Sequence, residues 1–181
     1  PVAPTSYDVE VKITYDPATG LLSKEVTNPD NGFVFTNKYS TKDSAGLEAK
    51  KELNGRALGD GEFSFKLTDT TNDIEKTYTN AADGTIAIDQ VYKYAINPSD
   101  ADVTDGYVDV RSKLNTAGHY EFDITLEEIT TNLPTGVRAE DPTSYTITVN
   151  VDYNKSTGVL DVSIDPEDTV FTFTNTFGSE I

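Results

Sequence analysis

The chain has 181 residues, 36% of them hydrophobic and 10% aromatic, with no Cys, Met or Trp and a formal net charge of −17. It is too apolar for disorder, has no apolar run long enough for a membrane span, and can bury one domain plus part of another. The charge argues against nucleic acid and anionic membranes as partners, and the missing cysteines exclude disulfides, thiolate metal sites and cysteine nucleophiles. No signal peptide or sorting tail is visible, so the chain reads as a mature or excised segment.

Residues 6–39, SYDVEVKITYDPATGLLSKEVTNPDNGFVFTNKY, align without a gap on residues 144–177, SYTITVNVDYNKSTGVLDVSIDPEDTVFTFTNTF. Tyr7 meets Tyr145, Gly20 meets Gly158, Phe35 meets Phe173 and Asn37 meets Asn175, all at one offset of 138 residues. That spacing is too long for a solenoid unit and suits a whole domain. Residues 1–40 therefore read as the closing strands of a preceding repeat, and residues 41–181 as one complete repeat.

Within that repeat, alternation of period two predicts strands nearly throughout. The first runs through Leu47, Ala49, Lys51 and Leu53. Phe63, Phe65 and Leu67 follow a Gly-Asp-Gly turn, and Ile86 and Ile88 follow Asp83-Gly84. Residues 107–116 are the place for a short helical turn. Tyr120, Phe122, Ile124 and Leu126 come after Gly118; Tyr145 to Tyr153 end at a turn near Gly158; Val159 to Ile164 and Val170 to Phe173 close the domain. Short strands with regular turns predict an all-β, immunoglobulin-like β-sandwich.

Three polar residues fall on the apolar phase of these strands. Lys51 shares its phase with Leu47, Ala49 and Leu53, while Lys50 points outward with Glu48 and Glu52. Asn175 shares the phase of Phe171 and Phe173. Glu128 continues the inward series 120, 122, 124 and 126, whereas Glu127 falls outside. Each would be costly to bury alone. Together they form a reaction centre, because burial favours the neutral forms of an amine and a carboxylic acid. The Lys51 amine can attack the Asn175 amide carbon while Glu128 polarises the carbonyl and relays a proton to departing ammonia.

At these residues the sequence resembles the streptococcal-pilin isopeptide-linker family, related to B-type stalk domains of collagen adhesins and to Gram-positive major pilins. The resemblance rests on LEAKKELNGRALGDGEFSFKL at 47–67, GHYEFDITLEE at 118–128, SYTITVNV at 144–151 and FTFTNTF at 171–177. It implies a Lys51–Asn175 isopeptide bond with Glu128 as catalytic carboxyl. One departure is that the family glutamate usually stands eight residues after its glycine, where this chain has Leu126; Glu128 lies two further on in the same phase, with Glu127 the alternative if the register slips. Asn37 is the counterpart of Asn175 and a candidate cross-link of the preceding repeat, with no lysine strand before it in this chain.

Other signals are weaker. Asp100 to Gly106 lacks the spacing of a calcium loop, with Arg111 where a bidentate Glu should stand, so no metal or other cofactor is expected. Leu133-Pro134-Thr135-Gly136 lacks one residue of a sortase signal and reads as a turn. His119 has no surrounding Ser and Asp pattern for a triad. Val91-Tyr92-Lys93 lacks the proline of a pilin-linking lysine motif. The resemblance thus implies a non-enzymatic stalk or pilin module on the cell-wall-anchored surface of a Gram-positive bacterium, with neighbouring repeats or pilin subunits as partners. The alternative is a β-sandwich adhesin domain that binds a glycan or host protein, whose signature would be aromatics clustered on loops.

Overall fold

The computed structural model describes residues 6–27, 32–167 and 169–178. Positions 1–5 and 28–31 of the N-terminal segment, and 168 and 179–181 of the second repeat, lie outside the described residues. The chain divides into two compact units, residues 1–39 and 40–181.

The first unit holds β1 (Glu10–Asp16) and β2 (Leu21–Thr27), an antiparallel hairpin around Gly20. Gly20 adopts φ +72°, the left-handed conformation that glycine allows cheaply, and its N–H donates to the Asp16 carbonyl at 2.8 Å. Beside the hairpin, the Tyr7 hydroxyl donates to the Val34 carbonyl at 2.6 Å, and its ring meets Phe33 and Phe35 edge-on.

The second unit is a β-sandwich. One layer is a five-stranded sheet in the order β13 (Val159–Asp165), β12 (Ser144–Asn154), β10 (His119–Glu128), β5 (Ser64–Asp69) and β6 (Ile74–Thr79). Facing it are two smaller sheets. One orders β11 (Val137–Ala139), β14 (Val170–Phe177), β4 (Glu48–Asn54) and β7 (Thr85–Ile86); the other orders β3 (Thr41–Gly46), β8 (Val91–Ile96) and β9 (Val108–Asp109). β3 and β4 are separated by Leu47 alone, so one extended run passes from the second small sheet into the first.

Alternation explains the layers. In β12 the inward Ile147, Val149 and Val151 are fully buried, and in β10 Phe122, Ile124 and Leu126 join the same core. Aromatic contacts fasten the layers: Phe65 against Phe173 at 5.0 Å, Tyr145 against Phe171 at 5.2 Å, and Tyr92 against Phe122 at 5.5 Å. Most aromatics of this unit therefore serve the core rather than loops.

The all-β sandwich expected from alternation is what the chain forms. The helical turn sits elsewhere: α1 (Asp100–Thr104) precedes the 107–116 segment, which holds β9 and a turn instead. The reason is capping. The Ser99 side chain accepts from the Asp102 N–H while the Asp102 carboxylate accepts from the Ser99 N–H, a reciprocal box that starts a helix within the segment weighed as a calcium loop. The 133–136 segment is indeed a turn, closed by the Val137 N–H on the Pro134 carbonyl at 2.9 Å.

Candidate functional site

The central geometric fact is a parallel pair. β14 lies beside β4 in parallel, with Phe173 opposite Lys51 and Asn175 opposite Leu53. Period two then sends Lys51 and Asn175 to the same, inward side, one step apart along the sheet. Glu128 arrives from the facing layer. It ends β10 opposite Phe65, and its N–H donates to the Thr143 carbonyl at 2.9 Å, fixing the strand end over the lysine.

The three side chains meet out of solvent: Lys51 is 1% exposed, Glu128 5% and Asn175 0%. Lys51 Nζ donates to Glu128 Oε1 at 2.8 Å, and Asn175 Nδ2 donates to the same oxygen at 2.7 Å. Glu128 Oε2 and Asn175 Oδ1 are buried without a hydrogen-bond partner. An ammonium has three donors, yet Lys51 Nζ faces one carboxylate oxygen and the Phe63 ring, whose centre is 4.5 Å away. Burial pushes the Lys51 amine below the ordinary lysine value of 10.5, against the opposing pull of its hydrogen bond to Glu128 and the charges of Glu128 and Glu62.

Such an under-served charge pair is costly as an ion pair. It becomes cheaper if the proton moves from nitrogen to carboxyl, leaving a neutral amine and a neutral acid. A half-turn of the Asn175 amide exchanges its oxygen and nitrogen, so that a protonated Glu128 could donate to the carbonyl. The arrangement has a nucleophile, an amide and a proton carrier, all three closed off from solvent.

The outward neighbours are separate. Lys50 pairs with Glu52 at 3.1 Å on the surface, and Glu127 reaches Lys66 at 3.4 Å. Asn37 lies exposed in the other unit. His119 bonds Asp152 at 2.8 Å and Glu121 at 3.2 Å, far from a serine-based arrangement. Two supports escaped the sequence reading. Phe63 and Phe65 roof the lysine, and the Tyr145 hydroxyl donates to the Thr172 carbonyl at 2.6 Å, holding β14 beneath the sheet. The recurrence of Tyr7 and Tyr145 in the repeat was the available signal for the second.

Residues 47–178, from the lysine strand to the end of the asparagine strand, match the family described as FctA, Spy0128-like isopeptide containing domain. The chain belongs to this family. The resemblance to streptococcal pilin domains carried by the motifs is thus upheld, and the FctA domain here is a structural module of the pilin type. Among solved structures, the major pilin of Streptococcus pyogenes, determined as an asparagine-to-alanine mutant, is similar at 17% identity and a TM-score of 0.37. The match covers 74% of this chain and 50% of that one, so the chain spans about half that pilin's length. No curated protein matches the chain. Among the described residues no helix is long and apolar enough to cross a membrane.

Proposed function

We propose that residues 41–181 are a load-bearing stalk or pilin module of a Gram-positive surface protein, locked by a self-made isopeptide bond between Lys51 and Asn175. The observation that supports this is the convergence of both side chains on one Glu128 oxygen, at 2.8 and 2.7 Å, in a fully buried site.

The reaction balances without a co-reactant. The Lys51 ammonium first gives a proton to Glu128, making a neutral amine. The amine attacks Asn175 Cγ while the Glu128 carboxyl donates to the carbonyl oxygen, stabilising the tetrahedral intermediate. Glu128 then moves a proton from the attacking nitrogen to the leaving one. The C–N bond to ammonia breaks, neutral ammonia departs, and Glu128 is left holding the proton it took from the Lys51 ammonium. The event happens once per molecule, so the chain is not a turnover enzyme.

The bond would tie the first core strand of the small sheet to the last. Tension at the ends of β4 and β14 would then run through a covalent link. Neighbouring repeats or subunits of the same surface protein are the proposed partners. The test is intact mass under denaturing conditions: the parent should weigh one ammonia less than its sequence, and K51A, N175A and E128A should each carry their full sequence mass. A parent at full mass would overturn the reading.

A further inference from the structure

The N-terminal hairpin repeats the β12–β13 hairpin of the sandwich in three dimensions. Glu10 pairs with Thr27 and Asp16 with Leu21, just as Thr148 pairs with Asp165 and Asn154 with Val159, every pair displaced by the same 138 residues. The aromatic clamp is repeated too. The Tyr7 hydroxyl holds the Val34 carbonyl at 2.6 Å, as Tyr145 holds Thr172, and Tyr7 lies 5.1 Å from Phe35 where Tyr145 lies 5.1 Å from Phe173. The segment that carries Asn37 is thus tied to Tyr7 as the strand that carries Asn175 is tied to Tyr145.

What differs is the cover. Ile147, Val149 and Val151 are 0% exposed, whereas their counterparts Val9, Val11 and Ile13 are 48%, 56% and 69% exposed. Phe33, Phe35, Leu22 and Val26 are exposed as well, with Lys24 the one departure, where the sandwich has Val162. In the sandwich β10 pairs along the edge of β12 and β4 runs parallel beside β14, and the two sheets so widened enclose that face in one core. An isolated two-stranded hairpin with an open edge is marginal, and a contiguous apolar face of this kind marks a docking surface.

We infer that residues 6–27 and 32–39 are an acceptor for one occupant: a polypeptide with the strand order of residues 41–143, lying N-terminal to them in the same tandem array. The interface is the one already seen within the sandwich, continued onto its copy. The occupant pairs one strand along residues 6–14 and lays a lysine strand parallel to residues 32–39. The cross-link part rests on the Lys51–Asn175 reading. By the same chemistry, the incoming lysine nitrogen bonds to Asn37 Cγ, a glutamate of the occupant carries the proton, and ammonia leaves.

The experiment places a second copy of residues 41–143 directly before Ser6 of the chain, so that Thr143 meets Ser6 as it meets Ser144 in the sandwich. Hydrogen exchange reads docking, and denatured intact mass reads bonding. The expected result is new protection of amides in 6–14 and 32–39, with one ammonia lost beyond that of residues 41–181. N37A should abolish the extra loss and retain the protection, while N175A should abolish only the other loss. Exchange at 6–39 unchanged from the 181-residue chain, with residues 41–181 folded as an internal control, would overturn the docking. Protection without the extra loss would overturn the cross-link at Asn37. Self-association of the 181-residue chain that already protects 6–39 would put a second copy on this face and overturn the assignment. A full-mass sandwich with protected 6–39 would instead count against the Lys51–Asn175 reading alone.

Discussion

Replacing Asn175 with alanine removes the bond and leaves the Lys51–Glu128 pair intact at 2.8 Å, so no lone charge is stranded in the core. The link closes a loop of about 125 residues, counted from Lys51 to Asn175. By the chain-entropy relation used for disulfides, opening it frees the denatured chain by about 5 kcal/mol at 25 °C. Truncating a fully buried amide adds about 1–2 kcal/mol for lost hydrogen bonding and packing. A domain of this size shifts by roughly 3 °C per kcal/mol, so N175A should melt about 15–20 °C below the parent. Differential scanning calorimetry at matched pH is the assay. A melting temperature within about 5 °C of the parent would refute the loop-closure reasoning, because the amide's own contacts account for a shift of that size.

The same variant should differ from the parent in its pH dependence. Without the bond, burial holds the Lys51 amine below 10.5, so the unfolded chain binds more protons in the window beneath that value. Stability of N175A relative to the parent should therefore rise as pH climbs through that window to 10.5; in the parent the nitrogen is an amide and does not titrate. Parallel stability–pH curves from urea melts would contradict this. His119 is held above its ordinary value of 6.5 by hydrogen bonds to Asp152 and then Glu121. Its contribution should be full below pH 6.5 and vanish as pH rises through the raised value, so H119Q should lower the melting temperature at about pH 5 and leave it unchanged at about pH 9. Gly84 sits at φ +91°, and a Cβ there would meet the Lys51 carbonyl oxygen at 2.4 Å. G84A should cost about 2 kcal/mol or more in chemical denaturation and slow the ammonia loss followed by mass after refolding, since it displaces the lysine strand.

Much of the site was readable because strand phase is binary. Lys50 and Lys51 are neighbours, as are Glu127 and Glu128, and one step of alternation separates the surface member from the core member. The repeat likewise announced the hairpin, because its turn glycines and its Tyr, Phe and Asn positions recur at one offset. Other elements gave weaker signals. The inward positions of β3 are Thr41, Asp43 and Ala45, with Asp43 accepting from the Val162 N–H at 2.8 Å, so its burial is partly polar and alternation passes it over. The parallel pairing of β4 with β14 joins segments more than a hundred residues apart, and no local pattern encodes which strands become neighbours. The helix at Asp100 was missed because its start lies in a side-chain cap rather than in an apolar stripe.

The most direct test of the central claim is peptide mapping of the denatured, protease-digested chain by tandem mass spectrometry. The account predicts a branched peptide in which the strand containing Lys51 is joined through its side chain to the strand containing Asn175, less one ammonia. Recovery of both strands only as separate, unmodified linear peptides would contradict it.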